Sequence, residues 1–175
     1  GWVAGKNLKY QYQSAQGNAA TAGQIVRKFI GDKADAIVAI ATPSAQAAAA
    51  ATSSVPIVFS AVTDPVAAKL VKDLKAPGGN VTGVSDRLPL APQVDLMLKV
   101  VPTAKRVGIV YSPGEINSTI LIKELKAVLA QRGMTLVSAA APRTVDVQAA
   151  TKSLVGKVDL IYSSTDNNVV SAYET

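Results

Sequence analysis

The stretch Ala36-Ile-Val-Ala-Ile-Ala-Thr-Pro-Ser-Ala-Gln-Ala-Ala-Ala-Ala-Ala51 decides how the rest of this chain is interpreted. Residues 36–41 form a short apolar run with β-branched members, which predicts a strand buried on both faces. Residues 45–51 are all alanine except for one glutamine, and alanine is the strongest helix former. Between them, Thr42 is a predicted N-cap and Pro43 suits the first helical position. The stretch therefore predicts a strand, a polar turn and a helix whose free backbone N–H groups lie beyond the strand's carboxyl end.

Similar alternation of apolar strands and amphipathic helices continues along the chain. Further strands are predicted at residues 55–60, 81–85, 106–111, 135–139 and 158–162, and most are separated by helical patterns. A helix is predicted from Asp64-Pro65 through Leu74, because Asp caps helices and Pro suits their first turn. Residues 8–12 alternate apolar and polar side chains, which predicts an edge strand. The order of elements predicts an α/β fold with parallel sheets.

The chain divides near residues 85–90, where an aspartate and prolines interrupt regular structure. Residues 35–44 and 159–167 resemble each other: each has an Asp, then an apolar strand, then a polar turn led by Thr. We therefore predict two similar lobes, residues 1–85 and 86–175, and place the two aspartates, Asp35 and Asp159, in solvent away from any site. Residues 173–175 fall within a predicted helix, so we expect the chain to be part of a larger protein.

The composition excludes several classes of function. With 49% hydrophobic and 17% charged residues the chain belongs to the folded class, and no apolar run approaches the roughly 20 residues of a membrane span. The absence of Cys and His excludes thiolate catalysis, Ser-His-Asp triads and the metal sites built on these residues. The 18 basic residues are scattered, which argues against nucleic acid despite a net charge of +6. We predict no catalytic residue, no metal and no cofactor.

Polar turns follow four of the predicted strands, and in open α/β sheets ligands bind outside the carboxyl ends of the strands. Hydroxyls and helix N-terminal amides in these turns suit an anionic group, whereas Asp64, Glu115 and Asp166 suit an ammonium group. The turns together predict a site for a zwitterion. Purely structural interpretations remain open: Thr42, Asp64 and Asp166 as helix caps, and residues 112–118 as an ordinary surface loop.

Five blocks of sequence carry a resemblance to a known family. Residues 41–48, 56–65, 77–85, 110–118 and 159–167 resemble, in order and at compatible spacing, the substrate-binding proteins of ABC importers of the tryptophan/aromatic amino-acid type. The third block reads Pro77-Gly-Gly-Asn-Val-Thr-Gly-Val-Ser85. The resemblance implies a type I periplasmic-binding-protein fold, in which two Rossmann-like lobes close on a ligand and the chain crosses between lobes at residues 84–87. It also implies further segments before Gly1 and after Thr175.

The resemblance also implies a ligand site and a function. Carried over by motif, the ligand-binding residues are Thr42, Ser44, Thr63 and Asp64 in the first lobe, and Ser112, Glu115, Asn117, Ser118, Thr165, Asp166 and Asn167 in the second. The implied protein is not an enzyme but the solute-binding component of an ABC importer, which captures an apolar or aromatic amino acid in the periplasm or on the extracytoplasmic face of the membrane. Its partners are the ligand and the permease subunits, without nucleic acid, and it meets the membrane only through the permease or a lipid anchor outside this chain.

Two other functions stay open at this point. The alternative is the ligand-sensing effector domain of a regulator with the same two-lobed fold, which a DNA-binding segment elsewhere in the gene would support. An enzyme that relies on carboxylates ranks far behind as a third hypothesis; turnover of a bound ligand would support it, whereas recovery of the ligand intact would argue against it.

Overall fold

The computed structural model describes residues 1–174, so Thr175, the last residue of the predicted second lobe, lies outside the described residues. Two three-stranded parallel sheets organise the chain, as predicted. The first has the order β1-β2-β3, with β1 (Ile37–Ile40), β2 (Ile57–Val62) and β3 (Val81–Ser85). The second has the order β5-β4-β6, with β4 (Arg106–Tyr111), β5 (Thr135–Ala140) and β6 (Leu160–Tyr162).

Six α-helices accompany the strands of residues 1–174. They are α1 (Ala19–Gly31), α2 (Thr42–Ala51), α3 (Leu90–Val100), α4 (Ile116–Ala130), α5 (Val147–Leu154) and α6 (Asn167–Val170). We call the first sheet with α1 and α2 the first lobe, and the second sheet with α3 to α6 the second lobe. None of these helices is both long enough and apolar enough to cross a lipid bilayer.

The first lobe buries one face of its sheet. Ile37 and Ala39 of β1 pack beneath α1 and α2, where Ala45 and Ala48 are fully buried. The alternate residues Val38 and Ile40 are 64% and 59% exposed. The predicted burial of this strand on both faces is therefore wrong within residues 1–174, because α1 and α2 cover one face and no other described element covers the second. Alanine lets α2 lie close to the sheet, since it adds no bulk beyond Cβ.

The second lobe has helices on both faces of its sheet. Val107 and Ile109 of the central strand β4 pack with residues of α3 and α4, whereas Val110 packs with residues of α5 and α6. A strand covered on both sides is expected to be apolar along its whole length, and β4 is buried from Val107 to Val110. Within residues 1–174, the strand covered on both faces is thus β4.

The edge strand predicted at residues 8–12 does not form. Residues 8–12 are irregular, with only a single β-bridge between Ala4 and Leu8, because no neighbouring strand within residues 1–174 pairs with them. The predicted final helix does start, as α6, but it ends at Val170, and residues 173 and 174 form a turn.

The predicted helix from Asp64 to Leu74 ends after one turn. Asp64 Oδ1 accepts hydrogen bonds from the amides of Val66 and Ala67, as a cap would. Lys69 then adopts φ 60°, and hydrogen bonds from Lys69 N to Val66 O and from Leu70 N to Pro65 O close a Schellman motif. The reversal directs Leu70 and Val71 into the core of the first lobe. Core packing therefore stops the helix that the local sequence starts.

Asp159 is exposed and lies at the end of the sheet opposite the predicted site, as the sequence predicts, but its carboxylate is also hydrogen-bonded. Its Oδ2 accepts hydrogen bonds from the amides of Lys105 (2.9 Å) and Arg106 (2.8 Å), and its Oδ1 lies 2.9 Å from the Arg106 guanidinium. The pKa of Asp159 is lowered from 3.8 to about 2. The hydrogen bond from the guanidinium contributes most to this shift, and the hydrogen bonds from the two amides lower the pKa further. Asp159 thereby fastens the start of β6 to the start of β4.

We predict that Asp159→Asn lowers the free energy of unfolding at pH 7 but not near pH 2. The pKa is lower in the folded protein than in the unfolded chain, so the stabilisation is fully present above about pH 4 and is lost as the pH falls through about 2. Urea unfolding at several pH values measures the difference between wild type and variant. Asp35→Asn is the matched control, because Asp35 precedes β1 as Asp159 precedes β6 and is likewise exposed, but its carboxylate accepts no hydrogen bond within residues 1–174. A difference that stays constant down to pH 2 would contradict this account.

Candidate functional site

A buried carboxylate joins three segments at the carboxyl edge of the second sheet. Asp166 is the N-cap of α6 and is fully buried. Its Oδ1 accepts hydrogen bonds from the hydroxyl of Ser112 (3.0 Å) and the amide of Val169 (3.0 Å). Its Oδ2 accepts from the amide of Ser112 (2.6 Å) and the hydroxyl of Ser118 (2.6 Å). Both oxygens are thus fully occupied, and Asp166 ties the end of β4 and the first turn of α4 to the start of α6.

A second carboxylate lies beside the first. Glu115 is the N-cap of α4, and its Oε2 accepts from Asn117 Nδ2 (3.0 Å), the Asn167 amide (3.1 Å) and Asn167 Nδ2 (2.7 Å). Asn117 Nδ2 also lies 3.4 Å from the carbonyl oxygen of Thr165, whose residue is otherwise exposed. The seven residues predicted for the second lobe are therefore brought together in one hydrogen-bonded group. We call it the polar cluster: Ser112, Glu115, Asn117, Ser118, Thr165, Asp166 and Asn167.

Two acceptor atoms of the polar cluster have no donor within residues 1–174. Asn117 Oδ1 is buried and unpaired, and Glu115 Oε1 accepts no hydrogen bond, although both residues are more than nine-tenths buried. Buried polar atoms are normally satisfied, so the unpaired Asn117 Oδ1 marks a position that a further donor would satisfy. The hydroxyl of Ser164, in the same turn as Thr165, is also buried without a partner.

The four site residues predicted for the first lobe follow adjacent parallel strands and lie along one edge of the sheet. Thr42 and Ser44 follow β1, and Thr63 and Asp64 follow β2. Thr42 is buried, but it is the first residue of α2 and not its N-cap, so that part of the prediction is wrong. The N-cap is Ala41 and no side chain caps the helix, which leaves the amides of Thr42 and Ser44 without partners in the described chain.

Backbone strain occurs at the carboxyl ends of both these strands. The Ala41 amide still pairs with Ser60 O while its carbonyl already accepts from Ala45 N, so the change from strand to helix falls on one residue. Ala41 consequently has φ 72° and ψ 153°, a region essentially reserved for glycine. Ala61 has φ 53° beside an irregularity in the pairing of β2 with β3. Strain of this kind concentrates at ligand sites, where surrounding structure holds it.

We predict that Ala41→Gly raises the free energy of unfolding by about 1 kcal/mol, because glycine adopts this backbone conformation without strain and the relief exceeds the added chain entropy. Guanidinium unfolding measures the change. Ala50→Gly, at an exposed position of α2, is the control and is expected to lower the free energy by about 1 kcal/mol. Equal destabilisation by both substitutions would contradict strain at Ala41.

Several residues of this region were not predicted from the sequence. Asn168 Nδ2 donates to the Ser112 hydroxyl (2.8 Å), and its position next to Asn167 in the first turn of α6 was a usable signal. Ile116 packs against the core of the first lobe from the first turn of α4, and Arg87 contacts both Asp64 and Glu124. The residues after Ser85 have no distinctive pattern, so only the tertiary structure reveals the role of Arg87.

An apolar hollow of about 380 Å³ lies elsewhere, between α5, β6 and α6, and is lined by Val147, Ile161 and Tyr173 among others. It contains none of the eleven predicted site residues. Because nothing in the described chain shows what covers this hollow, the polar cluster remains the candidate site.

The fold is that of type I periplasmic binding proteins, with two Rossmann-like lobes. Residues 1–175 match the family of ABC transporter substrate binding proteins, and the chain belongs to this family. Members of the family bind solutes rather than catalyse reactions, and they act outside the cytoplasm. A relative from Clostridioides difficile (strain R20291), described as a tyrosine-binding protein, is 43% identical over 172 residues, which are 98% of this chain and 50% of the relative.

Three solved structures are similar to the chain. A conserved domain protein from Vibrio cholerae is 51% identical with a TM-score of 0.94, and an ABC domain from Streptococcus pneumonia in complex with L-Trp is 37% identical with a TM-score of 0.93. Each match covers 97% of this chain and 57% of the other. The ligand-free, open structure of CD0873 from Clostridium difficile is 42% identical over 98% of this chain and 58% of its own, with a TM-score of 0.63. The chain thus spans about half the length of its curated relative.

The arrangement of the lobes agrees with the complex rather than with the open structure. The L-Trp complex is less identical in sequence than CD0873, 37% against 42%, yet its TM-score is much higher, 0.93 against 0.63. Sequence divergence would give the opposite order. The two lobes of this chain are therefore placed as in the protein that holds L-Trp.

Proposed function

We propose that this chain is the greater part of the ligand-binding unit of an ABC importer's solute-binding protein, and that the ligand is an amino acid with an apolar or aromatic side chain. The lobes would be residues 1–85 and 86–175, with the ligand between them. The family membership supports the importer component over the regulator. The tyrosine-binding description of one relative and the L-Trp bound to another support an aromatic side chain.

The pair of free acceptors in the polar cluster carries the proposal. Asn117 Oδ1 and Glu115 Oε1 lie on neighbouring side chains of a site whose other oxygens are largely occupied. An ammonium group offers three donors and a positive charge, so it satisfies the amide oxygen and the carboxylate at once. We assign the ligand's ammonium group to this position.

The carboxylate of the ligand would bind to the first lobe. The amides of Thr42 and Ser44 begin α2 without a cap, and a helix N-terminus favours an anion. We assign the ligand's carboxylate to these amides and to the hydroxyls of Thr42, Ser44 and Thr63. A zwitterion bound in this way contacts both lobes, so its binding free energy favours the closed arrangement.

The eleven site residues would then have two kinds of role. Those proposed to contact the ligand are Thr42, Ser44, Thr63, Glu115, Asn117, Thr165 and Asn167. The oxygens of Asp166 are occupied by the chain itself, as is one oxygen of Asp64, so we propose that Asp64, Ser112, Ser118 and Asp166 shape the site. The protein would deliver its ligand to permease subunits at the outer face of the cytoplasmic membrane.

Calorimetry on the full-length protein tests the assignment with L-tryptophan and indole-3-propionate, which lacks the ammonium group. Wild type is expected to bind L-tryptophan at least tenfold more tightly, since a buried charged hydrogen bond is worth about 1.5–3 kcal/mol. Asn117→Leu removes one of the two free acceptors and should weaken the binding of L-tryptophan more than that of indole-3-propionate, so that the preference falls. If the variant weakens the binding of both compounds by the same factor, the ammonium group does not bind at Asn117. If wild type binds no amino acid, the proposed ligand class is wrong.

A further inference from the structure

One arginine connects the two lobes at the point where the chain crosses between them. Arg87 lies between β3 and α3, in the only segment of residues 1–174 that joins the first sheet to the second. Its Nη2 donates to Glu124 Oε1 on α4, in the second lobe, and its Nη1 lies 3.5 Å from Asp64 Oδ2, in the first lobe. A single guanidinium therefore bridges a carboxylate from each lobe.

The first-lobe carboxylate is fixed in place. Asp64 Oδ1 accepts from the amides of Val66 (3.1 Å) and Ala67 (3.0 Å), so only its Oδ2 faces Arg87. The backbone of the crossing segment is also anchored: the Ser85 hydroxyl donates to Thr63 O (2.9 Å) and accepts from Arg87 N (3.2 Å). Arg87 can thus change partner mainly by moving its side chain, while its backbone stays with the first lobe.

Glu124 belongs to an element that contributes directly to the polar cluster. It lies on α4, whose first turn provides Asn117 and Ser118, so movement of the second lobe carries Glu124 and the cluster together. The lobes are placed as in the L-Trp complex, and the ligand-free open structure of the C. difficile protein differs from this arrangement. Because Asp64 belongs to the first lobe and Glu124 to the second, separation of the lobes would increase the distance between them beyond what one guanidinium can span.

We propose that Arg87 is an electrostatic latch: it pairs with Asp64 and Glu124 together only when the lobes are closed, and so sets the open–closed equilibrium without touching the ligand. The pairs are partly exposed, with 56% of the Arg87 side chain, 19% of Asp64 and 36% of Glu124 accessible, so the latch is weak and sensitive to salt. Losing one such pair on opening favours closure about two- to fivefold. A latch of this strength favours closure without preventing the ligand's release.

The effect on affinity rests on the proposed function, because it requires a ligand that binds the closed form. The apparent dissociation constant is the intrinsic constant divided by the fraction of closed protein. Where the closed form is the minor one without ligand, a two- to fivefold loss of closed population weakens binding by about the same factor. The latch itself, in contrast, acts in the ligand-free protein.

The test measures the distance between the lobes in the ligand-free full-length protein. Residues 1–175 contain no cysteine, and any cysteine elsewhere in the full-length protein is first replaced by serine. Spin labels at Ala50→Cys and Ala127→Cys, exposed positions on α2 and α4, then report the closed and open populations. Glu124→Gln is expected to reduce the ratio of closed to open protein about two- to fivefold at low salt. Raising the salt concentration should shift wild type in the same direction and shift the variant less.

Asp95→Asn is the matched control. Asp95 pairs with Arg132 at 2.8 Å within the second lobe, and its replacement removes one carboxylate and one ion pair, as Glu124→Gln does. It is expected to leave the populations unchanged. Equal populations in Glu124→Gln and wild type, or the same shift in both variants, would overturn the latch. If Glu124→Gln opens the protein but wild type binds neither L-tryptophan nor L-tyrosine, the latch stands and the proposed ligand class fails.

Discussion

Gly83→Ala is expected to lower the free energy of unfolding by about 3 kcal/mol, the upper end of what overpacking costs. Gly83 lies in β3 opposite Phe59 of β2. A Cβ at this position would lie 2.1 Å from the Phe59 carbonyl oxygen and 2.6 Å from two atoms of its ring. The carbonyl is backbone and cannot rotate away, so the two strands must separate. Phe59 is also buried in the core of the first lobe, which leaves the ring no room to move.

Urea unfolding of the variant and of Gly79→Ala measures this effect. Gly79 precedes the same strand, and a Cβ there would meet no atom within 4 Å. The control is expected to change the free energy by less than about 0.5 kcal/mol. Equal stability of the two variants would show that the sheet relaxes around the added methyl group, contrary to this prediction.

Asp166→Asn is expected to lower the free energy of unfolding by about 2–3 kcal/mol and to weaken ligand binding at least tenfold. The two carboxylate oxygens each face a backbone donor, Ser112 N at 2.6 Å and Val169 N at 3.0 Å. An amide has only one oxygen, so in either orientation its NH₂ group faces one of these N–H groups. One buried donor then has no acceptor, and the start of α6 shifts relative to β4. Ligand affinity falls because the polar cluster loses its geometry.

Asp73→Asn is the matched control for this substitution. Asp73 also accepts from two backbone amides, Lys75 N (2.7 Å) and Ala76 N (3.2 Å), but it is exposed. Both amides donate to the same oxygen, Oδ1, which asparagine retains, and the site is open to water, so we expect a change within about 0.5 kcal/mol. Thermal unfolding and calorimetry with L-tryptophan give both quantities. A stable Asp166→Asn protein with wild-type affinity would contradict the role of Asp166 as the organiser of the cluster.

The candidate site was largely predictable in the second lobe and less so in the first. Residues 112–118 and 165–167 follow strands and extend into the first turns of α4 and α6. The carboxyl ends of parallel strands meet at one edge, so the convergence of these residues follows from the order of elements. The order of elements did not predict which of these residues are free to contact a ligand and which are bound by the chain itself. Whether a carboxylate faces a ligand or the chain's own amides depends on neighbours far away in sequence, such as Ser112 for Asp166.

The errors have a common physical cause, which is competition from tertiary packing. Asp64 and Pro65 start a helical turn as their local chemistry predicts, but burial of Leu70 and Val71 ends it at Lys69. The apolar residues of 36–41 predict cover on two faces, yet cover depends on which other elements pack there. Propensity describes what a segment favours alone, and the core decides which of those preferences is realised.

Residues 36–51 show both what the sequence determines alone and what tertiary packing decides. Their sequence by itself determined a strand, a polar turn and an alanine helix, because apolar β-branched residues and alanine act through local sterics and entropy. Only the tertiary structure decided that Ala41 carries the strained turn, that Thr42 leaves the helix uncapped, and that α4 of the other lobe packs Ile116 against the same core. Those features arise because parallel pairing with β2 fixes the end of the strand while packing fixes the start of the helix.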